Sequence, residues 1–173
     1  MHPLSQFHFC PKCGSGHFVE NNVKSKRCEA CGFVYYFNPC AATVAVIRNE
    51  KNEILCAIRA KEPAKGMLDL PGGFCDSYET SEEGVAREVF EETGLRVTRT
   101  QFLFSIPNVY PYSGFEVHTL DAFFLCEVEG HDMEAMDDVA ELCWIPCSEL
   151  KSEAFGLNSI RIGIEKIKKM LNI

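Results

Sequence analysis

Long apolar runs are missing from this sequence. No stretch approaches the roughly eighteen consecutive apolar residues of a membrane-spanning helix, so no transmembrane segment is expected. The first residues, MHPLSQFHFCPKC, combine neither a basic start nor an apolar centre, so a secretory signal is not expected either. Ten cysteines without such a signal are typical of a reducing compartment. The predicted location is the cytoplasm.

Basic residues are also scarce. Lys and Arg number 17 against 25 Asp and Glu, and the formal net charge is −8. Because binding to a nucleic-acid backbone depends on Lys and Arg neutralising phosphates, we do not expect a general affinity for nucleic acid. The 173 residues, 46% of them apolar, are enough for one sizeable core and a small appended unit. A monomer and a homodimer both stay open.

Four early cysteines form two Cys-x2-Cys pairs, each followed by a glycine. This spacing lets two thiolates bind one tetrahedral ion, and the glycine permits the tight turn. A single pair could be a redox centre, but a matched double set in a segment too small for its own core favours structural Zn²⁺. We therefore predict a zinc ribbon over residues 1–37, with His8 and His17 as surface histidines. The predicted zinc ligands are Cys10, Cys13, Cys28 and Cys31.

The remaining cysteines carry no such spacing and are predicted to be free, mostly buried thiols. They are Cys40, Cys56, Cys75, Cys126, Cys143 and Cys147.

After the ribbon, the pattern becomes that of strands and helices. The β-branched run 42–47, a polar turn and the run 54–58 predict a hairpin. Thr80 with Glu83 three residues later predicts a capping box and a helix that Gly94 ends. Apolar residues at helical spacing predict a closing helix over 158–171. Further strands are predicted at 102–104, 118–128 and 144–146.

Six glutamates crowd into residues 73–95. On the predicted helix, Glu88 faces both Glu91 and Glu92, and like charges at that spacing repel by a few tenths of a kcal/mol per pair. A chain built only for stability would avoid this, so a cation is expected there. Hard divalent cations such as Mg²⁺ prefer oxygen ligands, and Glu88 and Glu92 are one helical turn apart on the same face.

The same segment resembles the Nudix box at every specified position. It reads Gly73-x5-Glu79-x7-Arg87-Glu88-Val89-x-Glu91-Glu92-x-Gly94-Leu95. The resemblance implies an α/β fold, a Nudix-type α/β/α sandwich with a mixed β-sheet, over residues 38–173. It also implies a hydrolase that cleaves a pyrophosphate with Mg²⁺ or Mn²⁺.

The resemblance further implies roles for individual residues. Glu88 and Glu92 become the metal ligands, Glu91 becomes a ligand or the general base, and the carbonyl of Gly72 or Gly73 a further metal contact. Relatives often add one acidic ligand from a loop late in the chain, for which Asp138 and Glu141 are the candidates here. The pair Glu79–Arg87 is implied to brace the loop against the helix.

A four-cysteine ribbon ahead of a Nudix domain resembles the NADH pyrophosphatase subgroup. Its second signature, Ser-Gln-Pro-Trp-Pro-Phe-Pro-x-Ser, is partly matched by residues 105–113, SIPNVYPYS, where Ile106, Asn108 and Val109 depart from it. We expect a stiff, proline-braced loop there whose tyrosines can stack on a flat ring. The substrate-binding candidates are Arg59, Tyr110, Pro111 and Tyr112.

The expected substrate is a nucleoside diphosphate linked to a second group, with NADH and ADP-ribose first. The alternatives are a nucleoside triphosphate or a nucleotide sugar, a module that senses a nucleotide without cleaving it, and an RNA-end hydrolase. For the last of these, a basic cluster between the cysteine pairs would guide the RNA; it consists of Lys24, Lys26 and Arg27.

Overall fold

The structure is a computed structural model that describes residues 2–130 and 132–171. The chain divides into two compact units, Met1–Pro39 and Cys40–Ile173. Within the described residues, no helix is long and apolar enough to cross a membrane.

The first unit is a small three-stranded antiparallel sheet with two cysteine turns. Its strands are β1 (Phe18–Asn22), β2 (Ser25–Cys28) and β3 (Val34–Tyr36), in the order β1-β2-β3. Each turn contains a glycine in the left-handed region, with φ of 73° at Gly14 and 75° at Gly32, as tight turns require.

The expected basic cluster of this unit does not include Lys26. Its side chain is buried, its ammonium donates to the carbonyl of Phe7 at 2.7 Å, and it lies 5.4 Å from the centre of the Phe18 ring. A buried ammonium needs such acceptors to offset the loss of water. Lys26 therefore supports the ribbon, and only Lys24 and Arg27 of the three are exposed.

In its described residues, the second unit contains two three-stranded sheets and two α-helices. One sheet has the order β4-β8-β7 and is mixed, because β4 and β8 run parallel; the other has the order β6-β5-β9 and is antiparallel. Two short 3₁₀ helices, Cys147–Glu149 and Ser152–Ala154, follow the last strand. The strands are β4 (Cys40–Ile47), β5 (Glu53–Arg59), β6 (Leu68–Asp69), β7 (Arg96–Tyr112), β8 (Phe115–Glu129) and β9 (Val139–Pro146), and the helices are α1 (Ser81–Thr93) and α2 (Asn158–Leu171).

The predicted hairpin of runs 42–47 and 54–58 is wrong. The two runs are strands, but β4 pairs with β8 and β5 pairs with β6 and β9; only a single bridge, Arg48 to Ile54, joins them. The reason lies in the burial of residues 44–47, which is complete on both faces. Strands buried on both faces read as continuous apolar runs and are typical of parallel pairing between helices.

Alternate residues of β4 pack against different helices. Val44 and Val46 lie in a core cluster with Ile160, Ile164 and Ile167 of α2. Their neighbours Ala45 and Ile47 lie in a second cluster with residues of α1. Each fully buried Ile or Val side chain contributes about 1.5–3 kcal/mol to folding. The predicted α/β fold with sheet between helices is confirmed.

Helix α1 begins and ends where the sequence predicts. Thr80 is the N-cap, its hydroxyl accepts from the backbone N–H of Glu83, and the Glu83 carboxylate accepts from the backbone N–H of Thr80 at 2.7 Å. Gly94 closes the helix with φ 72°. The capping box and the glycine fix the helix register, and with it the positions of Glu88, Glu91 and Glu92.

The expected proline loop is also corrected. Residues 105–112 continue strand β7, which pairs with β8 as far as Tyr112 opposite Phe115. Proline cannot donate to a ladder, but β7 is an edge strand of its sheet, and edges tolerate proline where the missing N–H would face away from the neighbouring strand. Pro107 and Pro111 fit such positions. The tyrosines are thus held on a strand.

All six cysteines outside the ribbon are free thiols. Cys56, Cys126 and Cys147 are buried, Cys75 and Cys143 are half-buried, and Cys40 is exposed.

Candidate active site

The loop before α1 brings two glycines over the glutamates of the helix. The backbone N–H of Gly72 donates to Oε2 of Glu92 at 2.9 Å. A Cβ added at Gly73 would lie 2.6 Å from the carboxylate carbon of Glu88, so only glycine leaves room for this carboxylate. The loop itself is anchored to β4, because the N–H of Thr43 donates to the carbonyl of Gly73 at 2.8 Å.

Burial opposes ionisation of these two glutamates. Burial raises the pKa of Glu92 to about 8, against a partial offset from the N–H of Gly72. Burial likewise raises the pKa of Glu88, against the attraction of the adjacent Arg87 guanidinium. The charge of Glu88 also helps to raise the pKa of Glu92, so a cation beside the two carboxylates would stabilise their charged forms.

Arg87 is the centre of the hydrogen bonds around the box. Its guanidinium forms a bidentate pair with Glu79, at 2.7 and 3.1 Å, and donates to the carbonyl of Phe74. The third nitrogen of the guanidinium, Nη1, donates to a carboxylate oxygen of Glu88 and to one of Glu91, each at 2.9 Å. The pairing of Glu79 with Arg87 has the geometry of a brace between loop and helix, and hydrogen bonds from Arg87 lower the pKa of Glu79.

Glu91 differs from its neighbours in exposure. Its side chain is 47% exposed, against 14% for Glu88, and it does not line the cavity described next.

A cavity of about 520 Å³ opens beside Glu88 and Glu92. Of the expected substrate-binding residues, Arg59, Tyr110 and Tyr112 line it and Pro111 does not. The Arg59 guanidinium is held by Asp69 at 2.6 Å, the carbonyl of Pro63 at 2.7 Å and the hydroxyl of Tyr110 at 3.3 Å.

The late loop contributes acids to the same cavity. Asp137 and Asp138 line it, whereas Glu141 lies on β9, exposed and outside it. The N–H of Met136 donates to the carbonyl of Glu92, which places this loop against the end of α1. The negative charge of Asp137 helps to raise the pKa of both Glu88 and Glu92, while the carboxylate of Asp138 pairs with Lys61.

Several cavity residues were missed by sequence reasoning. Most of them are polar residues of strands, and outside the box and the 105–113 segment their only signal is a polar residue beside apolar ones. Asp69 and Asp121 are the clearest cases, since a buried carboxylate in a strand needs an explanation. The missed lining residues of interest are Thr43, Asp69, Phe74, Asn108, Thr119 and Asp121.

The four cysteines of the first unit converge on one point. Sγ of Cys10 lies 3.8 Å from Sγ of Cys31, Sγ of Cys13 lies 3.6 Å from Sγ of Cys28, and all four sulfurs lie within 4.8 Å of one another. Tetrahedral Zn²⁺ with Zn–S bonds of about 2.3 Å places its sulfurs about 3.8 Å apart. The donor set and its spacing are consistent with a zinc ribbon.

A family model described as the NUDIX domain matches residues 38–162. The chain belongs to the Nudix family. Among solved structures, a NUDIX hydrolase from Nitrosomonas europaea has a TM-score of 0.73 at 22% identity, covering 93% of this chain and 90% of that one. The NUDIX domain of Shewanella oneidensis NrtR, complexed with ADP ribose, has a TM-score of 0.63 at 18% identity, covering 78% and 89%. These likenesses show the Nudix fold.

Two curated relatives of this Nudix protein carry different names. An NAD-capped RNA hydrolase NudC of Vibrio parahaemolyticus is 35% identical over 112 residues, which cover 65% of this chain and 42% of that protein. An ADP-ribose pyrophosphatase of Methanocaldococcus jannaschii is 35% identical over 127 residues, which cover 72% of each. The match thus spans less than half the length of the first relative.

The two glycines of the Nudix loop should respond differently to substitution by alanine. In Gly73→Ala the three atoms nearest to the new Cβ belong to the flexible end of Glu88, so the carboxylate moves and hydrolysis should fall at least about tenfold while Tm changes little. In Gly72→Ala the Cβ would meet the Thr43 carbonyl oxygen at 2.1 Å, and φ of 146° is unfavourable for alanine. This variant should lose about 1–3 kcal/mol of stability.

Thermal unfolding and initial rates, measured side by side, check the pair. Equal losses of Tm in both variants would contradict the stated role of Gly73.

Proposed function

We propose that this Nudix protein hydrolyses the pyrophosphate of a nucleoside diphosphate joined to a second group, with ADP-ribose and NADH the first substrates to test. The observation that carries the proposal is that Glu88 and Glu92, one helical turn apart, both line a cavity that also presents aromatic and polar side chains. The products would be a nucleoside monophosphate and a second phosphate monoester. We place the hydrolase domain at residues 38–173 and its location in the cytoplasm.

Two features of the site fit a divalent cation. The carboxylates of Glu88 and Glu92 are hard oxygen donors with raised pKa values, and the space above Glu88 exists only because residue 73 is glycine. Mg²⁺ or Mn²⁺ would be held by these two glutamates and the carbonyl of Gly73, with Asp137 or Asp138 added from the late loop. When bound, such an ion neutralises phosphate charge and lowers the pKa of a water ligand.

The chain's own groups would do the rest of the work. Arg87 holds Glu88 and Glu91 in place through one nitrogen and Glu79 through the others, so the helix and the loop keep a fixed spacing. Arg59 adds a positive charge at the cavity wall. Water attacks phosphorus, the bond from that phosphorus to the bridging oxygen breaks, and a carboxylate takes the water proton. Glu91 stays the first candidate for that base, and to act its side chain would have to turn from Arg87 towards the cavity.

Zn²⁺ is assigned to Cys10, Cys13, Cys28 and Cys31 in the ribbon, residues 1–37. Four protein ligands leave no open position, so the role is structural.

The names of relatives support the choice of substrates. ADP-ribose pyrophosphatase is the name of one, and NAD-capped RNA hydrolase the name of another, and both substrates contain an adenosine diphosphate. A nucleotide-sensing module without catalysis is disfavoured because every box glutamate is present. Nucleoside triphosphates and nucleotide sugars belong in the same assay.

A substrate panel tests the proposal. ADP-ribose, NADH, NAD⁺, a nucleotide sugar and nucleoside triphosphates are incubated with Mg²⁺, with Mn²⁺ and without either. We expect AMP from ADP-ribose and from the dinucleotides only when a divalent ion is added. Absence of cleavage across the whole panel would refute the proposed function.

NAD-capped RNA is the second candidate, favoured by the names of several relatives. Lys24 and Arg27 are exposed on the ribbon and could contact an RNA chain, while Lys26 is buried. A capped RNA oligonucleotide cleaved better than free NAD⁺, with the advantage lost at high salt and in Lys24→Ala/Arg27→Ala, would support it. Equal rates on capped RNA and free NAD⁺ would reject it.

A further inference from the structure

The hairpin of β7 and β8 presents a ladder of side chains to the cavity. Its cross-strand pairs include Ile106 with Asp121, Asn108 with Thr119 and Tyr110 with Val117. Residues two apart on a strand point to the same face, so these pairs form one continuous row. All of them except Ile106 line the cavity.

Asp121 is a buried carboxylate with few donors. It is 5% exposed, and the hydroxyl of Thr119, itself 4% exposed, donates to its Oδ1 at 2.5 Å. Within the described residues, no Lys or Arg forms an ion pair with Asp121. A carboxylate can accept about four hydrogen bonds. Among the residues that the structure describes, Asp121 accepts one, from Thr119, so a ligand in the cavity could donate to it. A ligand that brings N–H donors would satisfy it.

Asn108 lies opposite Thr119 and adds an amide to the same place. It is half-buried and forms no side-chain hydrogen bond within the described part of the chain. Its position is that of the tryptophan in the Ser-Gln-Pro-Trp-Pro-Phe-Pro-x-Ser signature, from which this chain departs. This chain therefore has a polar amide where the signature has an aromatic ring.

Aromatic rings flank the polar groups. Tyr110 meets Phe74 edge to face, with ring centres 5.9 Å apart at 89°, and lies 6.4 Å from Tyr112 at 28°. Such rings offer a face for a heteroaromatic base, whose polar edge can then reach neighbouring side chains. The cavity thus presents aromatic rings and hydrogen-bond acceptors together.

We propose that Asp121, Thr119 and Asn108 form a specificity site that recognises the exocyclic amine of adenine in the bound nucleotide. The Asp121 carboxylate accepts from the amine, and the Asn108 amide pairs with an adjoining ring nitrogen. A base with a carbonyl oxygen in that position, such as hypoxanthine, turns an acceptor towards a carboxylate and is repelled. This assignment rests on the proposed function, because it takes the cavity to be the nucleotide site.

The decisive comparison is ADP-ribose against its hypoxanthine analogue. In the unmodified protein, kcat/KM should favour ADP-ribose by about 10- to 100-fold, the range expected for one lost paired contact. Asp121→Asn, whose amide can donate as well as accept, should bring the ratio to within about threefold of unity. Glu127→Gln is the matched control, since it removes a carboxylate from the same strand outside the cavity, and it should keep the preference.

Asn108→Ala is the second variant, useful if Asp121→Asn unfolds, and should reduce the preference at least about threefold with unchanged Tm. An unmodified protein that cleaves both substrates equally, or an Asp121→Asn variant that folds and keeps the full preference, overturns the assignment. Two altered dinucleotides provide a further test. Nicotinic acid adenine dinucleotide lacks the carboxamide of NAD⁺, and nicotinamide hypoxanthine dinucleotide lacks the adenine amine. If the protein discriminates against the first and not against the second, the group recognised is the carboxamide and the assignment is overturned.

Equilibrium binding of the same two ligands separates this inference from the proposed function. Preferential binding of ADP-ribose without any cleavage would refute the hydrolase and keep the adenine site. Failure to bind either ligand would refute both.

Discussion

Replacing Glu92 by Gln should lower pyrophosphate hydrolysis by at least about two orders of magnitude, the loss typical of removing one group that stabilises charge in the transition state. The amide keeps the shape of the side chain and can still accept from the N–H of Gly72, so the loop should stay in place. The charge that would hold the divalent cation is what disappears. Initial rates on the best substrate of the panel measure the effect.

Glu82→Gln is the matched control, because Glu82 is an exposed residue of the first turn of the same helix. It should change the rate by less than about twofold, as surface substitutions usually do little. Full activity of Glu92→Gln on every substrate cleaved would remove Glu92 from the metal site.

Glu92→Gln should also change how the stability of the protein depends on pH. Glu92 has an ordinary pKa of 4.5 and a folded-state pKa of about 8, so the folded protein holds a proton that the unfolded chain releases. Its contribution to stability is present below about pH 4.5 and is lost as pH rises through about 8. Without Mg²⁺ or Mn²⁺, Tm of the unmodified protein should therefore fall more steeply over this range than Tm of Glu92→Gln. Parallel curves would contradict the buried position of this carboxyl.

Replacing Cys28 by Ser should abolish stoichiometric zinc binding. Cys28 is fully buried among the four sulfurs, and serine supplies neither the soft ligand nor the length of the thiolate. The core cluster in the described part of the first unit is small, with Cys10, Phe18, Cys28 and the adjoining Phe33, so loss of the ion should unfold this unit. Metal analysis should fall from about one zinc per chain to none, and hydrogen exchange of residues 1–39 should become fast.

Cys40→Ser is the control for this experiment, since Cys40 is an exposed free thiol outside the cluster. It should keep the zinc, and both variants should retain hydrolysis of a small nucleotide within a few-fold. Stoichiometric zinc in Cys28→Ser would show that the ligands are other residues.

The parts of the structure that could be predicted from sequence are those whose causes are local. The start of α1 depends on Thr80 and Glu83, its end on Gly94, and all three lie within fifteen positions. The cysteine turns are equally local. Once that register is fixed, the convergence of Glu88 and Glu92 follows from helix geometry alone.

The parts that could not be predicted depend on which strands become neighbours. Nothing in residues 42–58 shows that β4 will pair with a strand more than seventy positions later, and a tight polar turn favours the hairpin that does not form. Asp121 reads as a stray acid in an apolar run until β7 places Asn108 and Tyr110 beside it on the same face. The place of Asp137 in the cavity also could not be predicted, because it depends on the contact between its loop and the end of α1.

The prolines of β7 also affect how the molecule behaves in concentrated solution. An edge strand of 17 residues is a long row of open hydrogen-bonding groups, the kind of surface along which chains aggregate by adding strand to strand. Pro107 and Pro111 are four positions apart, so both remove a donor from the same outward-facing row. A second chain laid along residues 105–112 would find gaps in its ladder. This part of the edge, beside the cavity, is thereby protected against self-association by its own sequence.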